Sequence, residues 1–203
     1  VLRLKSKNFI QNYSQAQHDK DERKQKRINS VKKSLSTVRK KLTEANLSMR
    51  QDHLTKAYNR KSFDEDVRRF YQMNVLDKVP VTLISFDIDF FKKINDNYGH
   101  DVGDFILKEC VILLKKIFNR EKDVLARLGG EEFIVILPDF TVEHAIKKCE
   151  EVLSLVRKEV FVHGTNQIKF TISMGVAQLV ANESLETWLK RVDMALYHSK
   201  NSG

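Results

Sequence analysis

The sequence predicts an α+β fold, a ferredoxin-like β-α-β-β-α-β core with extra terminal elements, preceded by a long α-helical stalk. Three observations carry that prediction. Between residues 28 and 49, apolar side chains recur at alternating spacings of three and four. After Asp52, short strand-like apolar runs alternate with longer helical ones. The charge also divides along the chain: of 36 Lys+Arg and 27 Asp+Glu, residues 1–50 hold 14 and 4, a balance of +10, and the remaining 22 and 23 leave −1. The formal charge of +9 therefore belongs to the first fifty residues, and a nucleic-acid-binding face on the folded part is not expected.

In the stalk, taken as residues 1–51, Ile28, Leu35, Leu42 and Met49 occupy one core position of a heptad, and Val31, Val38 and Ala45 occupy the other. This is the seam of a short parallel two-helix coiled coil, clearest over 28–49. Upstream, the same frame would bring Ser14, Gln17, Asp21 and Lys24 into the seam, whereas Leu2, Phe9, Tyr13 and Ala16 fit a frame displaced by one residue. The segment reads either as a plain connecting helix or as a signalling stalk that sets the rotation of two attached domains. A basic arm for nucleic acid or anionic lipid is disfavoured, because Lys and Arg surround the helix without interleaved aromatics.

The folded part, residues 52–203, divides by periodicity. A helix is expected over about 60–73, a strand over 81–87, and a helix over 102–118. Strands over 124–128 and 133–137 flank a turn containing Gly129 and Gly130. A helix over 142–158 follows, then strands over 168–173 and 175–179, and a last helix over 185–199. The expected architecture is one sheet with helices on one face. Cys110 and Cys149 sit in helical apolar patterns and read as buried thiols in a reducing compartment. No apolar run approaches the roughly 18 residues a membrane span needs. Because the first residue is Val, the sequence reads as a fragment whose upstream part is missing.

Two short patterns carry chemistry. The run 81–86 is a buried strand that ends in Asp87-Ile88-Asp89, and carboxylates there are costly unless something binds them. Alternation puts Asp87 and Asp89 on one face if the strand continues, so at least one is available to a cation; taken alone, the pattern is equally a structural cap or turn. Oxygen donors without nearby Cys or His favour Mg²⁺ or Mn²⁺ over zinc. The second pattern is Gly129-Gly130-Glu131-Glu132-Phe133, a tight turn with negative charge at its tip. A hairpin pairing with the first strand would bring Glu131 toward Asp87, the two-carboxylate arrangement used in nucleotidyl transfer; by composition alone, the pattern is more often a plain polar turn.

With these blocks in order, residues 52–203 resemble the GGDEF family of diguanylate cyclases, in a GGEEF variant. The resemblance rests on Asp52-His53-Leu54-Thr55 with Asn59-Arg60, Phe86-Asp87-Ile88-Asp89-Phe90-Phe91-Lys92 with Asn95-Asp96, and Gly99-His100-Asp101-Val102-Gly103-Asp104. It continues through Ala126-Arg127-Leu128-Gly129-Gly130-Glu131-Glu132-Phe133, Ser173-Met174-Gly175-Val176-Ala177 and Asp193-Met194-Ala195-Leu196-Tyr197-His198-Ser199-Lys200. It implies a nucleotide-cyclase, palm-like fold and synthesis of cyclic di-GMP from two GTP, with release of two pyrophosphates.

The resemblance also implies roles. Asp87 and Glu131, with the Ile88 carbonyl and help from Glu132, would hold Mg²⁺, or Mn²⁺ in its place, two ions per half-site. Glu131 would double as general base. Phe90, Phe91 and Lys92 would meet the phosphates together with Lys200, and Asn95 and Asp104 would read guanine beside His100. Arg120 and Asp123 match the family's inhibitory product site, an Arg-x-x-Asp pattern that is by itself commonly a surface ion pair. The family's phosphate-clamping Arg would fall just past Gly203. A twofold reaction between two half-sites implies a homodimer, held by the coiled coil and driven by an upstream sensor outside this fragment. The expected location is cytoplasmic, with membrane tethering of the parent through its missing N-terminal region left open. The rival reading is a catalytically silent receptor for cyclic di-GMP or GTP that signals through the stalk.

Overall fold

The computed structural model describes the backbone of residues 2–202 and the side chains of residue 20 and of residues 22–202. Two compact units divide at 49/50. The first unit belongs to α1 (Leu2–Arg50). The helix places the heptad residues in solvent, from 38% exposure at Ile28 to 69% at Met49. The displaced upstream frame of Leu2, Phe9, Tyr13 and Ala16 lies outside the described side chains.

The second unit is built on a four-stranded antiparallel sheet of β1 (Val81–Ile88), β2 (Val124–Gly129), β3 (Glu132–Pro138) and β6 (Ile172–Gln178), in the order β2-β3-β1-β6. With α4 (His100–Ile117) and α5 (Val142–Lys158) in the crossovers, this is the predicted β-α-β-β-α-β core. Every residue of β1 is buried, because the strand is central and both faces of the sheet are covered. Ile84, Phe86 and Ile88 face the apolar cluster built with α4 and α5. Val81 and Leu83 face a second cluster under α2 (Arg60–Asp77) and α6 (Leu185–Ser202).

The expectation of helices on one face therefore holds only for the two core crossovers. The terminal helices α2 and α6 cover the other face. Phe63, Val67 and Phe70 supply the apolar stripe of α2, at the i, i+4, i+7 spacing of a helix face. Asn59 caps this helix by accepting the Ser62 amide at 2.9 Å. Trp188 of α6 is fully buried, and its indole N–H donates to the Ala177 carbonyl at 2.9 Å.

Three local features differ from the sequence expectation. A short α3 (Phe91–Tyr98) precedes α4, and the two are separated by Gly99 at φ +87°. A small hairpin, β4 (Phe161–His163) with β5 (Asn166–Ile168), stands apart from the main sheet. The strands expected over 168–173 and 175–179 are replaced by the end of β5 and one continuous β6 that runs through Gly175. Gly175 is required by close approach and not by a turn. A Cβ there would lie 2.2 Å from the Leu196 amide nitrogen and 2.6 Å from the Val192 carbonyl of α6. Both free cysteines are buried, and burial pushes each thiol up to about 12. Among the described residues no helix is long and apolar enough to cross a membrane.

Because the atoms facing Gly175 are backbone, they cannot swing aside. Gly175→Ala is expected to destabilise the fold by about 3 kcal/mol, seen as a lower urea midpoint with an unchanged slope. An unshifted midpoint would show that α6 does not sit this close to β6.

Candidate active site

The site begins where β1 emerges from the core. Asp87 is only 5% exposed, and the register sets it opposite Glu132 of β3 on one side and Ser173 of β6 on the other. One step back, the rings of Phe86 and Phe133 stack at 5.9 Å and fix that register. Burial pushes the Asp87 carboxyl above its ordinary value; Lys200 opposes this, and the negative charges of Glu131 and Asp89 add to it. The Lys200 ammonium lies 2.7 Å from the Asp87 carboxylate. In this structure a lysine supplies the positive charge that the strand end demands.

Asp89 is a different kind of group. β1 ends at Ile88, so the alternation that would align Asp89 with Asp87 stops. The Asp89 amide donates to the Thr171 carbonyl at 2.9 Å. Its two carboxylate oxygens accept from the hydroxyls of Thr171 at 2.6 Å and Ser173 at 2.7 Å. Of the two acids left open by the sequence, Asp87 is thus the one that faces a cation, while Asp89 staples the turn to β6. Sequence reasoning missed the Thr171 and Ser173 contacts; the available signal was a pair of hydroxyl residues at strand spacing that could face an Asp-x-Asp end.

The turn itself is strained. Phe90 takes the left-handed region at φ +54° and caps α3 through its carbonyl, which accepts the Lys93 amide at 2.8 Å. Its ring is 72% exposed, with the Lys93 ammonium 4.4 Å from the ring centroid. Phe91 is buried against the core, and Lys92 is exposed. Asn95 lies on the α4 side of α3. A Cβ on Gly103 would fall 2.0 Å from the Asn95 side-chain oxygen and 3.2 Å from the Phe91 ring, so glycine at 103 keeps the place of both side chains. Exposed Asp104 and His100 lie in the first turns of α4 beside them.

The hairpin tip that carries Glu131 is held from below. A bulge between Arg127 and Gly129, with Gly129 and Gly130 both at positive φ, turns β2 into β3. The Arg127 guanidinium donates to the Gly130 carbonyl at 2.8 Å and to Asp52 at 3.0 Å. Asp52 also accepts the Thr55 hydroxyl at 2.7 Å and the Thr55 amide at 2.9 Å. Burial alone would raise the Asp52 carboxyl, but the Thr55 bonds and Arg127 outweigh it and hold the group below its ordinary value. Near Glu132, Asp193 of α6 is pushed up, first by burial and then by the Glu132 charge, with Arg60 opposing.

Arg120 and Asp123 are not part of this cluster. The Arg120 guanidinium donates to Asp123 and, at 3.0 Å, to the Pro138 carbonyl, and it lies 4.2 Å over the Phe140 ring. Pro138 pairs with Val81 at the start of β1, six residues before Asp87. The two sites are therefore roughly 20 Å apart along the strand.

The donor set suits a hard divalent cation. Asp87, the Ile88 carbonyl and Glu131 are all oxygen donors, and an ammonium already neutralises Asp87. Among the described residues no group of three or more acidic, His or Cys side chains converges on one point.

A family description, "Diguanylate cyclase, GGDEF domain", matches residues 49–203. Response regulator PleD of Caulobacter vibrioides is 37% identical over 155 residues, 75% of this chain and 34% of that protein. Diguanylate cyclase A of Treponema denticola is 39% identical over 127 residues, 62% of this chain and 34% of that protein. The chain thus spans about a third of these relatives. The coiled coil and GGDEF domain of DgcB from Caulobacter crescentus, solved in complex with c-di-GMP, superposes with a TM-score of 0.78 at 27% identity, covering 87% of this chain and 94% of that one. The active GGEEF domain of a diguanylate cyclase from Vibrio cholerae gives 0.67 at 31%, covering 71% and 92%.

Asp52 yields a pH prediction. Its depressed carboxyl stabilises the fold at neutral pH, and that contribution is lost as the pH falls from about 4 through the folded-state value. Denaturant melts of wild type and Asp52→Asn should therefore differ most near neutrality and converge in acid. A difference that stays constant with pH would mean that the Asp52 charge contributes nothing.

Proposed function

The chain belongs to the GGDEF family of diguanylate cyclase domains, and from that membership we propose that it condenses two GTP into cyclic di-GMP and two pyrophosphates. The observation that carries the reading is the buried Asp87 beside Glu131, its charge balanced by a lysine at 2.7 Å. In each half-reaction a 3′-hydroxyl oxygen of one GTP bonds to the α-phosphorus of the other. The α–β bridging P–O bond breaks, pyrophosphate leaves with the electron pair, and the hydroxyl proton passes to a base.

Glu131 is assigned as that base and, with Asp87 and the Ile88 carbonyl, as a metal-holding residue, with Glu132 next to it. Bound Mg²⁺, two ions per half-site, would supply charge neutralisation to the phosphates and acidify the hydroxyl. Lys200 exchanges Asp87 for the phosphates, beside Lys92 and the amides of Phe90 and Phe91. Asn95 and Asp104 read the N1–H and N2–H₂ edge of guanine, which adenine lacks, with His100 at the rim. Arg120 and Asp123 form a product site for inhibition. Their mutual bonds mean that Arg120 must release Asp123 or Pro138 before its guanidinium can fork onto a phosphate.

Each domain holds one GTP, so two must meet face to face. The exposed heptad row of α1 supplies the means, since each apolar side chain buried between two copies gains about 1.5–3 kcal/mol. The expected place of work is the cytoplasm, under the control of a sensor upstream.

Incubation with GTP and Mg²⁺, followed by chromatography, is expected to yield cyclic di-GMP. Glu131→Gln should lower the rate by at least about 100-fold. No cyclic product from the folded dimer, or full activity in Glu131→Gln, would overturn the reading.

A further inference from the structure

The strained turn at Phe90 has two sides, and the assigned site uses one of them. On the α4 side stand Phe91, Asn95 and Gly103. On the other side, Asp89, Phe90, Lys93, Ile94, Asn97 and Tyr98 form one wall of a groove of about 400 Å³. Arg157 at the end of α5 and residues 168–171, the end of β5 and the link to β6, form the opposite wall. The volume lies within the roughly 300–1,000 Å³ of small-ligand sites.

The chemistry of this groove is uneven in an informative way. Lys93, Arg157 and Lys169 bring three cations, and among the described residues none of them has a carboxylate partner. Asp89 is the one acid in the lining, and both of its oxygens are spent on Thr171 and Ser173. The floor is apolar and aromatic, from Ile94, Ile168 and the rings of Phe90, Tyr98 and Phe170. Phe90 keeps a large ring 72% exposed at φ +54°, a conformation that a bulky residue adopts only where its surroundings impose it. Exposed aromatic surface beside cations that have no carboxylate partner, one of them Lys93 at 4.4 Å from the Phe90 ring centroid, suits a ligand with a flat π-face and a phosphate. A bare anion would leave the rings unused. An acidic peptide would use the cations and not the stacking surface.

We propose that this groove is an accessory nucleotide site, separate from the guanine-reading side of α3, that takes a purine mononucleotide. The base stacks on the aromatic floor, and the phosphate is held by Arg157, Lys169 and Lys93. The site does not depend on the cyclase reading. It does share Asp89 and Phe90 with the phosphate-binding turn, so its occupant touches the same backbone from behind.

The test is a titration of the full chain with AMP, inorganic pyrophosphate and oligoglutamate, followed through backbone amide NMR shifts. AMP is chosen because the guanine-reading edge of Asn95 and Asp104 does not select it. Saturable AMP shifts are expected at Lys93, Asn97, Lys169 and Thr171, with pyrophosphate and oligoglutamate binding at least about ten-fold more weakly. Combined Arg157→Glu and Lys169→Glu should weaken AMP by about ten-fold or more without moving the thermal midpoint. The proposal is overturned if AMP shifts appear only around Asn95 and Asp104. It is equally overturned if pyrophosphate or oligoglutamate matches AMP, or if charge reversal leaves AMP affinity unchanged.

Discussion

A carboxylate at the end of a fully buried strand needs a positive charge, and the functional end of this domain is arranged around that need. Asp87 cannot retreat into water, because β1 is central in the sheet and covered on both faces. The structure answers with Lys200, and the position of Lys200 follows from packing farther back. At Gly175, α6 lies so close to β6 that the Leu196 backbone is in contact range of a missing Cβ. Lys200 is one helical turn beyond Leu196, and Asp87 is two residues beyond Ser85, the strand partner of Gly175. A single glycine thus sets the height at which the helix delivers its cation.

Around this pair the remaining polar residues divide the labour. Asp89 gives up any cation to hold the turn against Thr171 and Ser173. Arg127 ties the hairpin tip to Asp52, so the backbone preceding Glu131 is fixed by an ion pair with 12% and 16% side-chain exposure. Charge-assisted bonds of this kind orient more than they stabilise. Their value here is that Asp87 and Glu131 are approached by backbone whose path is already determined.

Much of this was legible in the sequence. The alternation of strand and helix fixed the core order, and the Gly129-Gly130 turn announced a hairpin that lands beside β1. The heptad row of the stalk was equally plain, and its described apolar side chains are exposed in the single chain. What escaped did so for physical reasons. Gly175 resembles a turn residue in one dimension, and only the approach of α6 shows that it is a contact residue. The eight residues of α3 are too few to display a period, and β4 and β5 are three residues each. Coverage of the second face depends on where the terminal helices dock, which local periodicity does not encode. The role of Asp89 was open because strand alternation predicts a side only while the strand continues, and β1 stops one residue earlier.

The central claim is that Lys200, 2.7 Å from Asp87, occupies by charge the place proposed above for a divalent cation. Mn²⁺ binding to the nucleotide-free chain, measured by electron paramagnetic resonance, tests it most directly when wild type is compared with Lys200→Met. Removing the competing ammonium should tighten Mn²⁺ binding by about ten-fold or more, which corresponds to about 1.4 kcal/mol. Equal or weaker Mn²⁺ binding in Lys200→Met would show that the lysine and the metal do not share a site.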